Sequence, residues 1–126
     1  RRVLFRSDDC VYSPMTEYLK KLSEKLNDTK IPVYFKLPDV SIKEPFYVIG
    51  SHTGDDSRSA KFGTAIVDTT LQIDLFYPID SRTKVEEAIF QTKVALNKRM
   101  THQLLIDHSI GREVYHIIFR ISDLII

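Results

Sequence analysis

Four histidines, His52, His102, His108 and His116, are the residues whose type best suits metal binding or proton transfer. His102 and His108 are six residues apart, a spacing that fits neither one face of a helix nor the His-Glu-x-x-His pattern of zinc enzymes. His116 alternates with apolar residues of a predicted strand, which indicates a solvent-facing side chain on a half-buried sheet. One functional alternative is a small metal-dependent or nucleotide-processing enzyme that uses His102, His108 and His116.

Other catalytic patterns are missing from the sequence. No serine stands in a Gly-x-Ser-x-Gly turn, and Cys10 lies far from any residue positioned to act as its base. The glycines of residues 50–54 are not followed by the Lys-Ser or Lys-Thr of a phosphate-binding loop. Asp68 and Asp74 share one strand face about 20 Å apart, which is too far for paired-carboxylate catalysis. These patterns argue against a hydrolase and against a nucleotide site.

The composition describes one small domain. The chain has 126 residues, 43% of them hydrophobic, and 18 basic residues balance 17 acidic ones. A chain of this length buries roughly two thirds of its extended surface, so one core suffices without disulfides, and the single cysteine has no partner within the chain. The balanced charge argues against a dedicated polyanion binder. No apolar run approaches the roughly 18 residues of a membrane-spanning helix.

The first seven residues, Arg-Arg-Val-Leu-Phe-Arg-Ser, read as the in-frame translation of a widely used sequencing adapter. We therefore expect residues 1–14 to be a non-native or disordered N-terminal extension and residues 15–126 to form a single domain. The natural start would then be Met15. An ordinary basic N-terminal arm is the alternative.

Two segments have apolar residues at the three- and four-residue spacing of amphipathic helices. The first is residues 16–27, for which Ser13 or Thr16 can serve as the N-cap. The second is residues 82–99, for which Asp80 or Ser81 can do the same. Each helix therefore has one apolar face that must lie on a core.

Five further segments are predicted strands. Residues 31–38 alternate between two prolines, which favours a short strand near a sheet edge. Residues 45–50 are apolar or aromatic on both faces, as in a buried strand. Residues 64–78 alternate strictly, and this strand is so long that it must bend or protrude. Together with the preceding loop it can form an arm-like hairpin. Residues 103–107 and 113–121 complete the set, around a turn that contains Gly111.

The resulting order is α-β-β-β-α-β-β. It predicts an α+β domain with a mainly antiparallel sheet and two helices packed on it.

A long polar loop, residues 51–63, is predicted between the second and third strands. Long loops inside compact domains are uncommon and tend to be functional or mobile. We interpret this one as an assembly element that becomes ordered when a neighbouring subunit supplies partners. A surface loop without any partner is the alternative. The candidate interface residues are His52, Asp55, Asp56, Arg58, Lys61 and Phe62.

Several features occur together in a recognisable order. They are the first amphipathic helix, Ile-Pro-Val-Tyr at 31–34, Pro-Phe-Tyr-Val-Ile-Gly at 45–50, the polar loop, the long strand ending in Phe-Tyr-Pro at 76–78, and the helix after Asp80-Ser81. In this order the chain resembles the tail-terminator or tail-completion proteins of long-tailed bacteriophages, also called tail-to-head joining proteins. The resemblance covers about residues 15–121.

The resemblance implies an α+β subunit that forms a hexameric ring, ends tail growth at the tip of the tail tube and joins the tail to the head connector. It implies no enzymatic activity, no cofactor and no metal. The implied partners are copies of the chain itself, the tail-tube protein and head connector proteins, with no membrane involved. DNA would pass through the channel without sequence readout.

The same resemblance implies a place in the virion, at the head–tail interface, after assembly in the host cytoplasm. The long loop would then face neighbouring rings or the channel. A head-completion or stopper subunit at the connector is the close alternative within the same class.

Overall fold

A computed structural model describes residues 13–55, 67–108 and 111–125. Two helices and one five-stranded sheet make up this part of the chain, which confirms the predicted α+β class and the order of its elements. The elements are α1 (Pro14–Asn27), β1 (Val33–Tyr34), β2 (Phe46–Asp55), β3 (Val67–Pro78), α2 (Arg82–Leu96), β4 (Met100–Asp107) and β5 (Val114–Ile125).

Both helices begin at serine caps, as the sequence predicts. Ser13 Oγ accepts a hydrogen bond from the backbone N–H of Thr16 at 3.1 Å, and Pro14 occupies the first turn of α1, where no N–H donor is needed. Two residues of the predicted N-terminal extension thus belong to the folded domain, while residues 1–12 lie outside the described residues. Ser81 Oγ accepts the N–H of Lys84 in the same way.

The second helix is shorter than predicted. It ends at Leu96 instead of residue 99, because Asn97 adopts the left-handed conformation with φ of 50° and closes the helix with a hydrogen bond to the carbonyl of Lys93. Lys98 consequently lies beyond the helix, where its Nζ is 2.9 Å from Oδ2 of Asp123 on β5.

The strand order is β1-β2-β3-β5-β4. Only β1 and β2 run parallel; the other three pairs are antiparallel, which confirms the prediction of a mainly antiparallel sheet. Strands β4 and β5 are longer than predicted, since β4 begins at Met100 and β5 continues to Ile125, paired with Val67. The outermost strands are β1 on one side and β4 on the other.

One face of the sheet, which we call the helix-covered face, packs against both helices. Tyr47, Ile73 and Phe119 from three strands are fully buried there with Leu26 of α1 and Val85 of α2. The Tyr47 hydroxyl lies 2.6 Å from Oγ1 of Thr92, which itself donates to the carbonyl of Ala88. The Tyr47 hydroxyl is therefore the donor in this buried pair.

The other face, which we call the rear face, carries a second and smaller apolar cluster. Phe46, Val48, Phe76 and Val114 are buried in it, and Tyr34 packs against them. Phe46 lies at its centre, with its ring centroid 5.9 Å from that of Tyr34 and 5.1 Å from that of Phe76. Because neighbouring residues of a strand point to opposite faces, β2 and β3 contribute to both clusters.

The predicted strand at residues 31–38 is wrong in length: β1 contains only Val33 and Tyr34. The chain then leaves the sheet as an irregular segment, residues 35–45, which we call the strap. Its carbonyl groups at Val40 and Ile42 accept hydrogen bonds from Arg112, in the turn between β4 and β5. The Arg112 side chain, about seventy positions away in the sequence, thus supplies the hydrogen-bond donors that a neighbouring strand would have supplied.

Candidate functional site

The predicted loop begins later than expected. β2 runs to Asp55, so residues 51–55 are strand and the prediction of a loop from residue 51 is wrong. The physical reason is a bulge between Ile49 and His52, where β2 gains one residue against β3 and then resumes pairing. Both faces of this strand segment are exposed, so its side chains are polar and do not alternate with apolar ones. The sequence pattern therefore does not indicate a strand here.

The structure describes two of the six candidate loop residues. His52 is exposed on β2 at the level of Leu71, just after the bulge, and Asp55 is the last residue of β2, paired with Asp68. Asp56, Arg58, Lys61 and Phe62 lie outside the described residues.

The paired ends of β2 and β3 beyond the bulge, residues 52–55 and 68–71, form what we call the arm. β5 continues alongside as the third strand, so this end of the sheet is three strands wide. A shallow groove of about 140 Å³ lies at the base of the arm between Ser51, Thr53, Gln72 and Arg120. The exposed side chains described in the arm are polar, while Thr69 and Leu71 are buried.

The rear face also holds a charged cluster, Asp74, His116 and Asp107, from three adjacent strands. Nδ1 of His116 is 3.1 Å from Oδ2 of Asp107 on β4, and Nε2 is 3.2 Å from Oδ1 of Asp74 on β3. The second contact is an ion pair without hydrogen-bond alignment, and among the described residues Nε2 has no hydrogen-bond partner. The ring stacks on Phe76 at 4.4 Å.

The expectation of a solvent-facing His116 is wrong, because its side chain is only 16% exposed. Burial lowers the pKa of His116, whereas the carboxylates of Asp74 and Asp107 raise it, and the net result is a pKa above the ordinary value. His116 lies between the two carboxylates and so links three adjacent strands, β3, β4 and β5.

The structure does not bring together the three histidines of the metal-enzyme alternative. His102 is paired with Phe119 and lies on the helix-covered side of β4, opposite to the face that holds His116. His108 follows the end of β4, where it is exposed and lies 3.7 Å from Glu113. In residues 13–55, 67–108 and 111–125 no group of three side chains is arranged to hold a metal ion.

Arg112 fixes the strap through four hydrogen bonds. Nη1 donates to the carbonyl of Val40 and Nη2 to that of Ile42, both at 2.8 Å, and the guanidinium binds both carboxylate oxygens of Glu44 at 2.6 and 3.2 Å. Glu44 is only 5% exposed, and Arg112 is the basic partner of its buried carboxylate. Hydrogen bonding to Glu44 raises the pKa of Arg112 further.

The strap displays apolar side chains although it is held rigidly. Phe35, Leu37 and Val40 are each more than half exposed, and Ile42 is also exposed. Arg112 and the strap lie at the end of the sheet where β2 begins and β4 ends. An ordered apolar segment in this position is typical of a contact surface.

Edge strand β4 exposes two more large apolar side chains, Leu105 on the rear side and Ile106 on the helix-covered side. A further exposed pair, Phe90 and Val94, lies on α2 beside a groove of about 640 Å³ that also includes Lys30.

Sequence reasoning missed Arg112, the strap and β4 as candidate surface. For β4 a signal was available: Leu104, Leu105 and Ile106 are consecutive, so they cannot all face one side of a strand. For Arg112 no local signal exists, because all its partners are distant in the sequence.

Comparison with known proteins gives no relative: no protein-family model and no curated protein matches the chain. No helix in the described part of the chain is long and apolar enough to cross a membrane.

Proposed function

We propose that the protein is a structural subunit of a bacteriophage virion, which forms a ring at the end of the tail tube, terminates tail growth and joins the tail to the head connector. One observation carries the proposal: besides the exposed pair on α2, the described part of the chain exposes apolar side chains at one side edge of the sheet and at one end of its strands. These surfaces are the edge strand β4 and the strap.

The two surfaces suit two kinds of neighbour. An edge strand faces sideways in the plane of the sheet, where the next subunit of a ring would lie. The strap lies at the ends of the strands, where a component stacked above or below the ring would lie. A ring-forming joining protein needs both contacts, and its two lateral surfaces must differ because head-to-tail contacts join unlike patches.

The rigid attachment of the strap supports a binding role. Phe35, Leu37 and Val40 would be costly to expose on an isolated protein, and Arg112 prevents the segment from turning them inward. A segment ordered before binding loses less conformational entropy when its partner arrives. The strap therefore has the properties of a preformed docking surface for the tail tube or the connector.

The experiment is analytical ultracentrifugation of the full chain with negative-stain imaging, alone and with purified tail tubes or head connectors. We expect rings, formed either in solution or on the tube end. Binding to connectors without any binding to tubes would assign the protein to the head-completion role instead. A protein that neither forms rings nor binds tubes or connectors would contradict the proposal.

A matched pair of variants tests the role of the strap. Val40 and Val94 are exposed to the same degree, 60% and 61%, but only Val40 lies on the strap. Val40→Ser should weaken binding to the tube or connector several-fold and leave the ring intact, whereas Val94→Ser should change neither. Equal effects of the two substitutions would show that the strap is not part of the proposed contact.

A further inference from the structure

Strand β4 is an edge strand without the usual protection against pairing. It pairs with β5 in an unbroken register over eight residues, and it contains no proline, no lysine and no bulge. Its outward edge has no strand partner within the described residues. Natural proteins normally protect such an edge, because its unpaired N–H and C=O groups can pair with another chain.

The opposite edge of the sheet is open over part of its length. β1 pairs with β2 only at Tyr47 and Val48, and the backbone N–H of Tyr47 also donates to the carbonyl of Pro32. From Gly50 to Asp55, β2 has no strand on its outer side within the described residues. The described side chains of this stretch, residues 50–54, are all exposed.

The directions of the two open strands fit each other. β2 is antiparallel to β3, β3 to β5 and β5 to β4, so β2 and β4 run in opposite directions. Within one copy Met100 lies level with His52, so a second copy in the same orientation must also be displaced along the strands for its β4 to reach residues 50–55 of β2. The two strands then run antiparallel, which is the more stable pairing per residue.

We propose that β4 of one copy pairs with the open part of β2, residues 50–55, in the next copy, so that neighbouring subunits share one continuous antiparallel sheet. This contact is the lateral interface between neighbouring subunits of the proposed ring. That the subunits close into a ring rests on the proposed function. Because β4 and β2 are different surfaces, the contact is head-to-tail and repeats from copy to copy. Pairing of β4 with β4 would instead stop at two copies.

Cross-linking of mixed variants tests the pairing. In a Cys10→Ser background of the full chain, one variant carries Thr53→Cys on β2 and the other Gln103→Cys on β4, both at exposed positions. With a short bismaleimide we expect dimers containing one copy of each variant, and neither variant should cross-link to itself. Dimers of Gln103→Cys alone would overturn the proposal in favour of a closed β4–β4 dimer.

Absence of any mixed product would also overturn the strand pairing. Imaging of the uncross-linked Cys10→Ser chain then distinguishes the strand pairing from the proposed function. Rings would contradict only the strand pairing, and the absence of rings would contradict both.

A second pair of variants tests the edge without a cross-linker. Ile106→Lys places a charge beside the open edge of β4, and Val94→Lys places the same charge on α2 at similar exposure, 55% against 61%. Ile106→Lys should shift assembly to at least tenfold higher protein concentration, while Val94→Lys should leave it unchanged. Equal shifts would contradict the proposal, and circular dichroism should show both variants folded.

Discussion

The two faces of the sheet are stabilised by different forces. The helix-covered face is mainly apolar, with the buried hydrogen bond between Tyr47 and Thr92 and, near the end of β5, the ion pair of Lys98 and Asp123. The rear face combines a small aromatic cluster with the Asp74–His116–Asp107 contact, and the Glu44–Arg112 pair lies at the end of the sheet where β2 begins. The first face depends on burial, and the second depends on charges held in place by their partners.

This difference separates folding from function. Apolar burial is non-directional and largely independent of pH, so the helix-covered face secures the fold. Charged hydrogen bonds are directional, so contacts such as those of His116 and Arg112 can fix particular segments in particular positions. One such segment is the strap, which we propose as a docking surface. The comparison predicts that damage to the two faces will have different consequences.

Adjacent isoleucines on β5 give the sharpest contrast. Ile117 is fully buried on the helix-covered face, whereas Ile118 is half-buried on the rear face. Ile117→Ala should lower the free energy of unfolding by about 3–4 kcal/mol, because it leaves a cavity in a close-packed layer. Ile118→Ala should cost less than half as much. Urea denaturation measures both values, and equal losses would contradict the difference between the faces.

Removal of Arg112 should release the strap without unfolding the domain. Arg112→Ala removes the donors to Val40 and Ile42 and leaves the buried Glu44 carboxylate without its partner. Trypsin should then cleave after Lys36 and Lys43 several-fold faster than in the original chain.

Arg112→Lys is the control for charge. Lysine keeps the positive charge but cannot bind two carbonyls and a carboxylate at once, so it should restore resistance to trypsin only in part. Cleavage at unchanged rates in both variants would show that Arg112 does not hold the strap.

The hydrogen bond of Tyr47 allows a small and selective change to the helix-covered face. Tyr47→Phe removes the hydroxyl, while Thr92 keeps its bond to the carbonyl of Ala88. We expect a loss of about 1 kcal/mol in the free energy of unfolding, the usual value for one neutral hydrogen bond. The measurement is urea denaturation, and the loss should be the same at acidic and alkaline pH. A pH-dependent loss would be unexpected for this face.

The smallest expected effect is the pH dependence from the rear face. The folded pKa of His116 is raised, so its stabilising contribution is fully present below the unfolded pKa, about 6.5, and is lost as pH rises through the folded pKa. The urea midpoint should therefore fall over this range of pH.

His116→Gln should remove most of that fall, and NMR titration should give a His116 pKa above that of free histidine. A midpoint whose pH profile is unchanged by His116→Gln would contradict the role assigned to the cluster.

Much of the fold could be predicted from the sequence because its signals are local. The helix caps Ser13 and Ser81 and the alternation in β3 depend on residues within a few positions of each other. The order of elements and the fold class followed from these signals.

The errors occurred where distant residues decide the structure. Residues 35–38 lie outside the sheet, next to the part of the strap that Arg112 binds, and residues 51–55 remain a strand because β3 continues beside them. His116 meets Asp74 and Asp107 only through the register of three strands. A single sequence does not encode such pairings in any local pattern. The strap was missed as a candidate surface for the same reason, whereas β4 had a local signal in its three consecutive apolar residues.

Imaging of tail tubes incubated with the purified full chain is the most direct test of the central claim, that this protein is a ring-forming joining subunit. The account predicts a ring of density on one end of each tube, and predicts that the ring is lost with Ile106→Lys and kept with Val94→Lys. Bare tube ends, with the protein bound neither to tubes nor to connectors at any concentration, would contradict it.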